Sequence, residues 1–301
     1  MTLKEHFRTN FNIRLLEGEI GADINELLKG KVVKDFLAET CWFKNNQIVI
    51  KADPFLFVHK DRLFLFYEEK LRKDPGYIKM TCTKDLINWT DPILILKEPF
   101  HLSFPFVFEH DGNVYLMPEC GESKEIRMYC FDDDDLRHCK LCHVPIKGEF
   151  VDSSIIENEG CFFLFTSDRK FNQRLFISHE LLGKYVEHPN SPICNNRRYG
   201  RNAGSVFRYR GDMYRPSQDC SRLYGGNVSL HKITKLDSQC LEEELYLDNI
   251  LDIKNPFYKY GGHQFNMIVF RNKMIVATDA LDLNFNFYQI VNKINKKVFS
   301  F

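Results

Sequence analysis

The sequence has almost nothing that would commit it to a membrane, a polyanion or a disulfide scaffold. No stretch approaches the roughly eighteen consecutive apolar residues of a membrane span. The opening MTLKEHFRTN lacks the apolar centre of a secretory signal, so a soluble, cytoplasmic protein is expected. Net charge is missing as well: 41 basic residues balance 41 acidic ones. No broad basic field is left to hold nucleic acid or an anionic membrane, and any partner must be found by a local site. No linker rich in Pro, Gly or Ser and no low-complexity tract divides the 301 residues.

Cysteine is present, ten in all, but the positions, among them Cys41, Cys82 and Cys161, fall mostly inside apolar strand patterns. That is the habit of reduced buried thiols rather than of staples. Cys139 and Cys142 form a lone CxxC without the second pair that zinc normally needs. No Asp-X-Asp stands in the strand-to-loop context of the usual nucleotide-sugar fold, so metal dependence is left open. The run Asp132 to Asp135 reads as an acidic hairpin turn.

Hydrophobic residues make up 44% of the chain and aromatics 14%, with 27 Phe, which is core enough for one large folded unit. The organising feature is a phrase repeated five times at steps of about fifty residues. The copies are Asp53 to Glu69, Phe104 to Cys120, Asp152 to Asp168, Ala203 to Asp219 and Gln264 to Ala280. Each is an apolar run, a polar turn, a second apolar run and a hydrogen-bonding side chain. Phe57, Phe108, Ile156 and Phe207 share an apolar column. Glu68, Glu119, Ser167 and Gln218 share a polar one, joined by Asp279 after a slight shift of the fifth copy. Packing does not need a column of acids and amides.

A fifty-residue β period predicts an all-β, five-bladed β-propeller. The ring is assigned to residues 51–301, and residues 1–50 to an extension packing on it. Within that extension Asn12 to Leu16 reads as a strand. Asp23 to Glu39 reads as an amphipathic helix, capped by Asp23 or Asn25. Turns at His110-Asp111-Gly112-Asn113 and Arg210-Gly211-Asp212 predict hairpins. Outer strands are expected at Ile78 to Thr83, Leu86 to Trp89, Ile126 to Phe131, Leu175 to Ser178 and Val228 to Ile233.

Inner strands of a propeller converge on one funnel, so the residues at their starts are candidate site residues. These are Lys51 and Asp53, His101 and Ser103, Asp152, Arg201 and Asn202, and Gly261, Gly262 and His263. Carboxylates, histidines, an arginine and a lysine at one mouth suit a sugar bearing an anionic group. A second cluster, Arg215-Pro216-Ser217-Gln218-Asp219 followed by Tyr224-Gly225-Gly226, breaks the apolar alternation where the other copies keep it, and local rule-breaking often marks a site.

The strings Ala52-Asp53-Pro54-Phe55, His101 to Glu119, and Arg215 to Asp219 with Tyr224-Gly225 resemble the propeller domain at the N-terminus of plant glucosamine inositolphosphorylceramide transferases, also found in bacterial proteins linked to surface-polysaccharide synthesis. The resemblance runs from about residue 50 to residue 280. That domain is similar to the five-bladed fold of arabinanases, β-xylosidases and invertases, whose active centres use an Asp at the start of blade one, another at the start of blade two and a Glu from the next. The resemblance gives Asp53 the blade-one role. Ser103 or Phe104 stands at the blade-two position, Asp152 lacks the following Pro, and Glu119-Cys120 is similar to the invertase Glu-Cys pair but lies at the other end of a strand. A hydrolase needs an acid facing a base or nucleophile, and the match to that pair is incomplete.

A transferase with a nucleoside diphosphate leaving group needs no strong acid on the donor side, only cations or a metal to take up phosphate charge, while one carboxylate removes the acceptor proton. The expected function is therefore glycosyl transfer in glycan or polysaccharide assembly, from a nucleotide-sugar donor to a glycan acceptor. Asp53 and Asp152 are the catalytic candidates. Lys51, Glu68, His101, Glu119, Arg201, Arg215, Gln218, Asp219, Tyr224 and His263 are expected to bind substrate. Glycoside hydrolysis and non-catalytic glycan binding are the alternatives.

Overall fold

The computed structural model describes residues 7–39 and 48–285. Cys41 and the last stretch assigned to the ring, residues 286–301, lie outside them. The chain opens with β1 (Phe7–Gly18), a single helical turn α1 (Ile24–Leu27) and β2 (Lys31–Phe36). The first repeat folds as β3 (Ile48–His59), β4 (Arg62–Leu71), β5 (Tyr77–Thr83) and β6 (Ile93–Leu96). Three four-stranded antiparallel sheets follow. They are β7 (Ser103–His110), β8 (Asn113–Glu119), β9 (Glu125–Phe131) and β10 (Cys139–Lys147); then β11 (Phe150–Asn158), β12 (Cys161–Asp168), β13 (Gln173–Ser178) and β14 (Val186–Glu187); then β15 (Phe207–Tyr209), β16 (Asp212–Asp219), β17 (Asn227–Leu236) and β18 (Leu241–Leu247). The last repeat supplies β19 (Phe265–Phe270) and β20 (Lys273–Phe285).

The fold is all-β, and its first and last repeats share one eight-stranded sheet in the order β19-β20-β1-β3-β4-β5-β6, with β2 added on β1. β1 pairs antiparallel with β20 from Phe7↔Phe285 to Gly18↔Met274. Its link to β3 is parallel and rests on the single pair Phe11↔Ile50. The leading segment thus joins the last repeat to the first. No helix among the described residues is long and apolar enough to cross a membrane.

The helix expected over Asp23–Glu39 stops after one turn. Asp23 does cap it, accepting from Asn25 N at 2.9 Å, and Glu26 returns the capping-box bond. Gly30 then lies so close to Glu17 that a Cβ there would sit 2.4 Å from the Glu17 carbonyl oxygen. Val32 and Val33 continue as β2 against β1, held by the bidentate Arg14–Asp35 pair at 2.8 and 2.7 Å. Edge pairing decides the segment where the apolar spacing pointed to a helix. The expected strand at Leu86–Trp89 is a turn centred on Asp85, and the outer strand β6 begins at Ile93.

Hairpin turns carry left-handed residues where the sequence placed them. Asp111 and Gly112 have φ of 48° and 72°, and Arg210 and Gly211 have 52° and 86°. Between sheets the core is largely aromatic. Phe55 meets Phe104 edge-on with centroids 4.8 Å apart, and Phe163, Phe165, Val206 and Met213 pack together between the third and fourth repeats.

Three inner strands share one irregularity. Between Ala52↔Glu68 and Phe55↔Phe66, the residues Asp53 and Pro54 oppose Tyr67 alone. Phe104 and Pro105 likewise oppose Pro118, and Asp152 and Ser153 oppose Thr166. The first residue of each bulge is left-handed, with φ of 52° at Asp53, 45° at Phe104 and 53° at Asp152. Such bulges re-aim a side chain and recur beside active sites. A Phe held at positive φ is strained unless its surroundings fix it, and Phe104 N–H is fixed by donating to Asp53 Oδ2 at 2.9 Å.

Candidate active site

The strand starts open onto a cavity of about 450 Å³. Asp53, Glu68, His101 and Glu119 line it from the first two repeats, and Arg201, Tyr224 and His263 from the last two. Asp53 sits at the floor, buried. Its Oδ2 accepts from Phe104 and its Oδ1 lies 3.6 Å from His263 Nδ1. Burial pushes the Asp53 carboxyl up to about 7; Asp279 and Asp152 add to this, while His263 and the Phe104 N–H oppose it.

Asp279 lies beneath His263. Its Oδ1 accepts from the backbone of His263 (2.7 Å) and Gln264 (3.0 Å), and its Oδ2 from Asp53 N (3.1 Å). The same Oδ2 is 2.6 Å from His263 Nδ1. Burial alone would lower the His263 value, but Asp279 and Asp53 outweigh it and raise the imidazole to about 9. Asp53, His263 and Asp279 offer ligand atoms within 4.8 Å of one another. Both Asp279 oxygens accept from backbone N–H groups, which fixes this carboxylate beneath the imidazole.

Two glutamates face the same cavity in different states of satisfaction. Glu119 accepts from Ser103 Oγ and Gly121 N, both at 2.9 Å. Glu68 Oε1 is buried without a hydrogen bond, 3.6 Å from His101 Nε2. Burial raises the carboxyl values of both, for Glu68 well above the ordinary range, with the Asp53 charge adding to it. His101 is pushed down to about 4 by burial and then by Lys70. Gly76 N–H donates to its Nδ1 at 2.9 Å, which leaves the Nε2 proton directed toward Glu68.

Asp152 does not line the cavity. It stands behind Arg201, bonded to the guanidinium Nε and to Gln218 Nε2 at 3.2 Å. Gln218 is buried too, donating also to Asn202 O at 2.9 Å, so it braces Asp152. Arg201 lies under the Tyr224 ring, 5.1 Å from its centroid. Tyr224, 44% exposed, meets Phe11 and His263 edge-on at 6.5 and 5.3 Å, and Phe11 stacks on His263 at 4.3 Å. The result is an aromatic wall on one side of the cavity.

Three expected site residues lie elsewhere. Arg215 is fully buried on the far side of β16, bidentate to Glu243 at 2.8 and 2.6 Å. It cannot hold a substrate phosphate, because β16 pairs with β17 without a break through Pro216 and strand alternation turns the Arg215 side chain toward Glu243 of β18 and not toward the funnel. Asp219 accepts from Ser221 N at 2.8 Å and lines a separate cavity with Arg198 and Arg222. Lys51 has Glu69, Lys79 and Glu39 as charged neighbours and does not line the funnel.

Among the lining residues that escaped the sequence reading are Phe11, Lys70, Glu122 and Arg169. Lys70 was legible, since two residues beyond Glu68 on a strand means the same face. Phe11 was not, because it belongs to the leading strand and reaches the cavity only through the β1–β20 pairing.

Residues 39–277 match the family model described as glucosamine inositolphosphorylceramide transferase 1, N-terminal. This chain belongs to that family. It is 36% identical over 228 residues to glucosamine inositolphosphorylceramide transferase 1 of Oryza sativa subsp. japonica, a match covering 72% of this chain and 30% of the relative. With the Arabidopsis thaliana protein of the same name it shares 38% over 201 residues, or 62% and 26% of the two chains. The chain therefore spans about a third or less of the curated relatives it matches. Among solved structures, a putative glycoside hydrolase from Bacteroides ovatus superposes with a TM-score of 0.58 at 11% identity, covering 84% of this chain and 92% of that one. Xylan beta-1,4-xylosidase from Bacillus halodurans gives 0.55 at 15%, covering 70% and 47%. At such identities these two share the fold with this member of the transferase N-terminal family, and the fold does not fix the chemistry.

Proposed function

We propose that this chain is a glycosyltransferase of glycan assembly, in which five blades surround the funnel and Asp53 is the general base. In this reading the β3–β6 sheet and the three separate sheets are four blades. β19, β20, β1 and β2 form the fifth, and the single β1–β3 contact closes the ring. The observation that carries the function is Asp53 itself: a buried carboxyl at a bulge on the floor of a polar funnel, brought to about 7, where a base works best at neutral pH.

The acceptor hydroxyl gives its proton to Asp53 as its oxygen bonds to the anomeric carbon, and the bond from that carbon to the diphosphate oxygen breaks. Arg201, kept in place by Asp152, faces the developing phosphate charge. Tyr224 offers a ring face to a sugar or a base. The curated relatives are named as transferases, which supports the reaction class.

A specific feature favours a second reading. Glu68 and Glu119 are carboxyls whose values burial raises, in the same cavity as Asp53, and a carboxyl biased toward its acid form beside a base is what glycoside hydrolysis requires. A thermal-shift screen separates the two. Ligand at a hundred times its dissociation constant adds about 2.7 kcal/mol, so a UDP- or GDP-sugar should raise the unfolding temperature and free glycans should not. Stabilisation by glycans alone, with sugar released in the absence of nucleotide, would replace transfer with hydrolysis.

A further inference from the structure

A second cavity of about 460 Å³ opens beside the funnel and shares Lys70, His101 and Glu122 with it. Its remaining wall is the β4–β5 loop, with Arg72, Lys73 and Asp74. Three cations within four consecutive residues face two carboxylates, and one of those, Glu122, already accepts from His101 N at 3.1 Å. The Lys70 side chain makes no hydrogen bond and no close ion pair among the described residues, although the residue is half-buried at the junction of the two cavities and its charge reaches Glu68 and His101.

From this geometry we infer that the groove of Lys70 and Lys73 binds the phosphate of a phosphorylated substrate whose sugar lies in the funnel over Asp53. The inference rests on the transferase reading above and supplies the anion contact that Arg215 cannot make. An ammonium without a hydrogen-bonded counter-ion, at the junction of two cavities and beside a second lysine, is placed to take an anion, and a lysine binds phosphate as a point charge. The chemistry fits the diphosphate of a nucleotide sugar and the phosphodiester of an inositol-phosphate headgroup alike, because each offers ionised oxygens one sugar away from the reacting atom.

Titration calorimetry of the whole chain with inorganic pyrophosphate, UDP, GDP and glycerophosphoinositol tests this. Pyrophosphate should bind, more weakly at high salt, and Lys70→Met combined with Lys73→Ser should weaken it at least tenfold. Lys70→Arg should retain it. Whichever of the nucleoside diphosphates or glycerophosphoinositol shows the same Lys70 dependence identifies the source of the phosphate. Lys73→Ser alone, at an exposed loop position, serves if the double variant fails to fold. No binding of any probe at about 10 mM, where even a millimolar affinity would saturate, overturns the inference, as does equal binding by the variants. The two proposals fail separately. Lys70-dependent pyrophosphate binding without sugar transfer removes the transferase reading and keeps the groove; transfer by Lys70→Met at unchanged KM for donor and acceptor removes the groove and keeps the reading.

Discussion

His263 Nδ1 lies 2.6 Å from Asp279 Oδ2 and 3.6 Å from Asp53 Oδ1, so one imidazolium joins the carboxylate of the last repeat to that of the first. Asp279 adds backbone bonds to Asp53, His263 and Gln264. The place where the first and last repeats meet is thus also the floor of the funnel.

Replacing Asp279 by Ala should cost about 3–5 kcal/mol in chemical denaturation, because it leaves a buried imidazolium without its main counter-charge and three backbone N–H groups without an acceptor. A loss below about 1 kcal/mol would mean that the closure does not depend on this carboxylate.

The same cluster gives stability a pH dependence with a definite sign. The His263 value rises from 6.5 to about 9 on folding. Its contribution is therefore complete below pH 6.5 and is lost as pH climbs through 9. The gap in unfolding temperature between the wild type and His263→Gln should narrow across pH 6.5–9.5. A constant gap would show that His263 folds in its neutral form.

Asp53→Asn keeps shape and hydrogen bonding but removes basicity. Turnover should fall about 100-fold to 10,000-fold, and the rise of activity with pH through about 7 should disappear. Full activity in this variant would move the base elsewhere, and Glu68 and Glu119, which line the same cavity, would be next to test.

The sequence showed the repeat, and with it which strand starts meet, because period and alternation are local signals. Asp53, His101, Arg201 and His263 were legible on that basis. The bulges were only half legible: Pro54 and Pro105 mark two of them, while Asp152-Ser153 has no such sign. The Arg215 position was misread because a polar break in a strand does not say which face its side chains take. Partners that settle the question, such as Glu243, come from a different strand 28 residues on. α1 was overextended for a similar reason, since the pairing of β2 with β1 is not encoded in apolar spacing.

Arg215→Ala should destabilise the fold by about 3–5 kcal/mol, by stranding Glu243 in the interior, and should leave the ligand affinity of the remaining folded protein unchanged. Replacing both partners, Arg215→Met with Glu243→Leu, should recover most of that loss, since a well-packed apolar pair can substitute for a buried ion pair. A change in pyrophosphate or nucleotide affinity in either variant would return Arg215 to the site.

Gly76 sits where the walls of the funnel and the groove meet. A Cβ there would lie 2.6 Å from Glu68 Oε1, 2.6 Å from the Leu102 carbonyl oxygen and 2.7 Å from His101 Cε1. The Leu102 backbone cannot yield cheaply, so Gly76→Ala must push Glu68 and His101 out of place. It should cost about 1–3 kcal/mol and also depress turnover. Gly112→Ala is the control, since its Cβ would meet nothing within 4 Å. Its cost, about 1 kcal/mol, comes from the left-handed backbone alone, and activity should be untouched. If Gly76→Ala lost stability like Gly112→Ala yet kept full turnover, the Glu68–His101 wall would be packing and not part of the site.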